Sequence, residues 1–142
     1  MNKFLVSLAL GASLLSSPAW AADDSLYKAF GEKPGLVALM DDFMVGLIAN
    51  ERTKSFFEKS NQQRVKEQLV EQLCSLSGGP CQYKGGDMKT VHDGMGVNKT
   101  HFNALVEVLQ RSMDKRGIAF SAQNKMLALL APMNRDIIEP AQ

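Results

Sequence analysis

His92 is the residue with the most distinctive chemistry, because it is one of two histidines in 142 residues and lies among apolar neighbours. Its segment, MKTVHDGMGV (residues 88–97), reads as one or two helical turns followed by a glycine-rich exit. An imidazole nitrogen is a good ligand for iron, zinc or copper. A lone histidine on a helix is more often a surface residue or a satisfied core residue, so the rest of the chain must decide between these interpretations.

The surroundings of His92 favour haem iron over a zinc site. No second histidine, carboxylate or thiol nearby completes a tetrahedral zinc site, which takes three or four protein ligands. One imidazole facing a dry pocket is what a haem iron needs from the protein. The only two cysteines, Cys74 and Cys81, do not form the C-x-x-C-H pattern of covalent haem attachment. Packing and one axial bond would therefore hold any haem.

The first 21 residues predict a secretory signal peptide. Lys3 is followed by a short apolar run, FLVSLALGASLL, and then by AWA at positions 19–21, with small residues where signal peptidase reads them. The run is shorter than the ~20 residues needed to span a bilayer, so a membrane anchor is the weaker alternative. We expect a mature domain of residues 22–142 that is periplasmic or secreted and not attached to a membrane.

The net charge of this domain limits the classes of partner that it can bind, and its two cysteines indicate a disulfide. Without Lys3, the 16 basic residues of the chain become 15 and balance its 15 acidic residues. A neutral chain has no electrostatic reason to bind nucleic acid or an anionic membrane. Export favours a disulfide between Cys74 and Cys81, with two free buried thiols as the alternative. We expect a monomer.

Hydrophobic periodicity predicts helices throughout the mature chain and no strands, so the expected fold class is all-α. Pro132 predicts a kink in the last helix, since proline lacks a backbone N–H. The residues expected to cap the N-termini of helices are Asp24 or Ser25, Ser60 or Asn61, Asp87, Asn98 or Thr100, and Ser121.

Several short motifs occur in a recognisable order: Leu26-Tyr27, Gly31, Phe43, Phe56-Phe57, Gly78-Gly79-Pro80, Tyr83-Lys84-Gly85, Met88 to His92, His101-Phe102 and Leu130-Ala131-Pro132. With these motifs, the chain from about Ser25 to Ile138 resembles the group I truncated haemoglobins. The resemblance implies a two-over-two helical sandwich that holds a b-type haem (iron protoporphyrin IX), with His92 as the proximal iron ligand.

The resemblance also implies which side chains meet the cofactor. Phe57 is expected to pack on the porphyrin face, and the aliphatic stripe of Val65, Leu69 and Leu73 to cover the ring opposite His92. Arg64 is placed to meet a haem propionate, although an ordinary solvated helix face explains it equally well. The remaining expected contacts are Phe43, Met44, Met88, Tyr83 and Phe102.

The distal side departs from the family pattern. Family members typically have a tyrosine after the phenylalanine that aligns with Phe43, and here that position is Met44. The next distal positions are Val65 and Leu69, the second of which is often glutamine in the family. The nearby glutamines, Gln68 and Gln72, are expected to point away unless the helix rotates. We therefore predict an apolar distal pocket, with the alternative that the Met44 thioether is a sixth iron ligand.

The leading functional interpretation is reversible binding of oxygen or another diatomic gas, such as carbon monoxide or nitric oxide, at an iron ligated by His92. The first alternative is a haem enzyme that removes nitric oxide or peroxide with help from an external redox partner. The second is an electron-transfer protein with a six-coordinate His92/Met44 haem. The third is a helical domain that no longer holds haem.

Overall fold

The computed structural model describes residues 23–140, which form helices without any strand. The all-α prediction is confirmed. The helices are α1 (Ser25–Ala29), α2 (Glu32–Ala49), α3 (Lys54–Phe57), α4 (Gln62–Leu76), α5 (Met88–His92), α6 (Lys99–Lys115), α7 (Phe120–Leu130) and α8 (Asn134–Ile137).

Helix α2 lies at the centre of a two-over-two sandwich. It packs against α4 and α6, and α7 packs against the same two helices. Leu36, Leu39, Met40, Phe43 and Leu47 of α2 are all buried in one core with side chains of α4, α6 and α7. A helix that is apolar on so many sides must be covered from more than one direction. This requirement fixes α4 and α6 on either side of α2.

Three predicted caps are confirmed, and two are wrong. Asp24 occupies the N-cap position of α1, but its side chain forms no capping hydrogen bond, and the Ser25 N–H donates to Asp23 Oδ1 at 3.0 Å instead. The side chains of Asn61, Asp87 and Asn98 each accept a hydrogen bond from a backbone N–H in the first turn of α4, α5 and α6. Ser121 does not cap α7, which begins one residue earlier at Phe120 and has no side-chain cap. The apolar side chain of Phe120 is largely exposed there. Packing of the following turns therefore sets the start of α7, and a capping hydroxyl does not.

Pro132 interrupts the last helix as predicted. Helix α7 ends at Leu130, a 3-10 turn covers Ala131–Met133, and α8 follows. Proline removes one backbone donor and collides with the carbonyl four residues earlier, so a regular α-helix cannot pass through it. The interruption redirects the chain, and α8 packs against α5.

A disulfide links the end of α4 to the loop that leads to α5. Cys74 and Cys81 are bonded, with their Cα atoms 5.7 Å apart, so the alternative of two free thiols is wrong. Cys74 is fully buried in the core, and Cys81 packs at its edge. The enclosed turn also reaches α1, because the Tyr27 N–H donates to the Ser77 carbonyl oxygen at 3.1 Å. The loop is therefore fixed at its start.

The predicted signal peptide, residues 1–21, lies outside the described residues. Within residues 23–140, no helix is both long enough and apolar enough to cross a bilayer.

Reduction of the disulfide should destabilise the fold. A cross-link between residues seven positions apart removes enough freedom from the unfolded chain to contribute about 2.5 kcal/mol. We expect urea unfolding with dithiothreitol to give a free energy of unfolding lower by about that amount. The double variant Cys74→Ala/Cys81→Ala is the control and should not respond to dithiothreitol. Equal stability of the oxidised and reduced native protein would contradict the expectation.

Candidate functional site

His92 presents one imidazole nitrogen in a defined tautomer. Its Nδ1 atom lies 2.7 Å from the backbone carbonyl oxygen of Met88, one turn earlier on α5. A carbonyl oxygen only accepts hydrogen bonds, so Nδ1 carries a proton, and in the neutral ring the lone pair is on Nε2. Within residues 23–140, Nε2 has no hydrogen-bond partner. An imidazole held in this way is a ready metal ligand, because the Nδ1 bond orients the ring and makes Nε2 more basic.

Asp87 starts the helix that carries this imidazole. Its carboxylate accepts a hydrogen bond from the Thr90 backbone N–H at 2.9 Å and another from the Thr90 hydroxyl at 2.7 Å. These two bonds, the backbone one first, hold the pKa of Asp87 below its usual value. The carboxylate is therefore charged throughout the neutral range, where it is the better acceptor for the N-terminus of α5.

The C-terminal segment holds the other end of α5. Beyond α8, the Glu139 backbone N–H donates to the Val97 carbonyl oxygen at 2.9 Å, and the Gly96 N–H donates to Glu139 Oε1 at 2.8 Å. A helix of five residues has too few internal hydrogen bonds to be stable alone, so tertiary contacts decide where His92 lies. Sequence analysis missed Glu139, because no local pattern pairs it with a loop 43 residues away.

Helix α4 presents two different faces. Val70, Leu73 and Cys74 are buried in the interhelical core, where their neighbours are other protein side chains. Val65 and Leu69, one turn apart, are only half-buried, and Leu69 lies at the edge of that core. The half-buried pair therefore offers apolar surface that the protein itself does not fully cover.

Gln72 is the one glutamine that sequence analysis oriented wrongly. Its side chain is 7% exposed, and its Nε2 atom lies 3.7 Å from Met88 Sδ and 3.6 Å from Met133 Sδ. The amide thus faces the His92 helix, whereas we expected it to point away. Seven residues bring an α-helix back to within about 20° of its starting direction, so Val65 and Gln72 share a face. That spacing was the signal available in the sequence.

The expected cofactor contacts fall into two groups by burial. Phe43 lies in the interhelical core, and Met44 is 4% exposed but lies outside that cluster. Phe57 is half-buried and packs against the core, while Phe102 and Met88 are half-buried without belonging to it. The assignment of these residues, and of Leu73, to a cofactor stays a prediction.

Tyr83 and Arg64, two expected haem contacts at the edge of the site, differ in whether their side chains already have a partner in the protein. The Tyr83 hydroxyl donates to the Gly86 carbonyl oxygen at 2.9 Å, so this side chain closes its own loop. The Arg64 side chain is exposed and forms no ion pair with the residues that the structure describes. Without an ion-pair partner there, the guanidinium is available to an anion.

The donor set of this site fits haem. Among residues 23–140, no group of three or more His, Cys, Asp or Glu side chains could hold a metal ion. His92 offers one nitrogen, and the apolar side chains beside it, Val91 and Met95, are 45% and 41% exposed. One imidazole with apolar neighbours suits an iron that brings its other ligands in a large flat apolar ring.

Comparison with known proteins gives a consistent result. Residues 25–139 match the family model described as bacterial-like globin. The group 1 truncated haemoglobin GlbN of Mycolicibacterium paratuberculosis is 30% identical over 113 residues, which cover 80% of this chain and 83% of that protein. The structure of truncated haemoglobin from Tetrahymena pyriformis, in its Fe(III) form, is 27% identical with a TM-score of 0.77 and covers 81% of this chain and 98% of that chain.

A more distant structure shares the fold. The 2/2 haemoglobin of a Synechococcus species is 18% identical with a TM-score of 0.75, and the match covers 80% of this chain and 97% of that chain. The family match spans nearly all of the described residues, and the helical arrangement agrees with it. This chain therefore belongs to the bacterial-like globins, as a group 1 truncated haemoglobin, and is a haem-binding globin.

Proposed function

We propose that this globin binds oxygen or another diatomic gas at a b-type haem whose iron is ligated by Nε2 of His92. The observation that carries the proposal is the hydrogen bond from His92 Nδ1 to the Met88 carbonyl oxygen. In the neutral ring it places the lone pair on Nε2, which has no partner among the described residues. The haem supplies an iron with a coordination position for a small gas molecule.

We also propose that the haem is attached non-covalently, and the contacts of the other reactive side chains support this. Both cysteines are in the disulfide, and none in the described part of the chain is free. The second histidine, His101, accepts a hydrogen bond from the Asn98 N–H through Nδ1, and its ring lies edge-on to Phe56 at a centroid distance of 5.0 Å. These contacts support a b-type haem held by His92 and apolar packing. We also propose an ion pair to a propionate from Arg64, which is exposed and has no ion-pair partner among residues 23–140.

The gas ligand would meet a largely apolar pocket. The residues at the distal positions, Met44, Val65 and Leu69, carry no N–H or O–H donor in their side chains. Gln72 directs its amide to two thioethers. The same lack of an acid–base group argues for gas binding over peroxide or nitric oxide chemistry.

An exported location agrees with the disulfide. Bonded cysteines are characteristic of oxidising compartments such as the periplasm. We propose that residues 1–21 direct export and are removed after Ala21. Mass spectrometry of the protein from the periplasmic fraction should find Ala22 as the first residue, and a chain that retains Lys3 there would contradict this proposal.

Replacement of His92 by glycine should abolish axial coordination. We expect the hemin-loaded variant to lose the Soret band of the imidazole-ligated form, and added imidazole to restore it. Haem transfer to an acceptor globin should accelerate on the order of tenfold or more, since a lost metal–ligand bond exceeds the ~1.4 kcal/mol of a tenfold change.

His101→Gln is the matched control for that experiment. Glutamine at this third helical position still accepts a hydrogen bond from the capping N–H, so α6 keeps its N-terminus. The control should keep the spectrum and haem affinity of the unaltered protein. If His92→Gly resembles the control, or if the unaltered protein stays colourless with hemin, the proposed function fails.

Replacement of Met44 by tyrosine should strengthen oxygen retention. A hydroxyl at this position would donate a hydrogen bond worth about 1–3 kcal/mol to the polarised ligand. Oxygen dissociation, measured by stopped flow, should slow by roughly tenfold to a hundredfold. Met44→Phe has a similar ring without the hydroxyl and should leave the rate near that of the unaltered protein.

The same control variant tests whether the Met44 thioether ligates the iron. Methionine fills irregular core space well, so we expect Met44 to be a packing residue. The ferric spectrum of Met44→Phe should then match that of the unaltered protein. Equal oxygen dissociation rates for the tyrosine and phenylalanine variants would contradict an apolar pocket centred on this position.

A further inference from the structure

Met88 contacts both the opposite helix and the imidazole. Its Sδ atom lies 3.7 Å from Nε2 of Gln72 on α4, and its carbonyl oxygen lies 2.7 Å from Nδ1 of His92. The same Gln72 amide lies 3.6 Å from Sδ of Met133, in the 3-10 turn that precedes α8. One buried amide therefore joins α4 to the His92 helix and to the C-terminal segment.

The character of these contacts indicates a positional role. Thioether sulfur is a weak acceptor, so the two bonds compensate poorly for removing the Gln72 amide from water. A leucine would fill the same place without that cost. The amide instead orients two segments, α5 and the 3-10 turn, relative to α4. Among the described residues, no backbone hydrogen bond connects either segment to α4.

We propose that Gln72 is a positioning residue for His92. A rotation of α5 that turns the imidazole also carries the Met88 side chain away from the amide, so the contact resists that rotation. The proposal rests on the proposed function, since it takes His92 as the iron ligand. It gives Gln72 no contact with the gas ligand.

The test compares Gln72→Leu with Gln68→Leu in the haem-loaded protein. The two substitutions remove the same amide from the same helix, but only Gln72 bridges to Met88 and Met133. The first measurement is the iron–histidine stretching band in the resonance Raman spectrum of the ferrous form. The second is hydrogen exchange of the backbone amides in residues 88–92, which reports the position of α5 directly.

We expect Gln72→Leu to broaden or shift the iron–histidine band and to speed exchange in α5 by about two- to tenfold, the effect of one net hydrogen bond. Gln68→Leu should leave both measurements near those of the unaltered protein. The proposal is overturned if Gln72→Leu and Gln68→Leu give the same band and the same exchange rates.

Met88→Leu provides a second test that does not alter α4. It removes the thioether but keeps the backbone carbonyl that accepts from His92. If the sulfur is the link, Met88→Leu should reproduce the effects of Gln72→Leu, and the double variant should add little to either. Fully additive effects would overturn the link through Met88. A separate result would show that His92 is not the axial iron ligand. In that case the His92→Gly variant would have the same spectrum as His101→Gln.

Discussion

The hydrogen bond from His92 Nδ1 to the Met88 carbonyl oxygen is the constraint on which the rest of the site depends. A free imidazole exchanges its proton between two nitrogens and rotates about its side-chain bonds. A carbonyl acceptor one turn earlier removes both freedoms, because it selects one tautomer and one ring orientation. The acceptor belongs to the same short helix, so whatever positions that helix also positions the metal-binding nitrogen.

Helix α5 depends on its surroundings because it has only five residues. Asp87 caps its N-terminus, and Glu139 holds the loop that follows its C-terminus. The disulfide fixes the start of the preceding loop, and Gln72 contacts the first residue of the helix. Distant parts of the chain therefore converge on one imidazole. The buried core around α2 is what keeps those parts in register, since α4 and α6 both pack against it.

The sequence predicted most of the fold because its signals are local. Asn61, Asp87 and Asn98 are short polar residues before apolar periodic segments, and each caps the expected helix. Pro132 broke the last helix for the reason that any proline would. Ser121 misled because a hydroxyl near a helix start is a weak signal when packing favours an earlier residue.

The site was less predictable, since it depends on contacts between distant residues. His92 could be proposed as a metal ligand from its neighbours, but the position of Glu139 against Gly96 could not be predicted. The inward orientation of Gln72 could be inferred from its seven-residue spacing to Val65, yet we expected this polar residue to point away from the distal side unless the helix rotates. The acceptors that make its burial tolerable, Met88 and Met133, become neighbours only in the folded chain.

Nitrogen NMR of the haem-loaded protein, with ¹⁵N in its histidine rings and the ferrous iron saturated with carbon monoxide, tests the central claim most directly. The account predicts that His92 retains a slowly exchanging Nδ1 proton, hydrogen-bonded to the Met88 carbonyl, while its Nε2 carries no proton and shows the shift of a metal-bound nitrogen. A protonated Nε2 on His92, or ring signals unchanged from the haem-free protein, would contradict it.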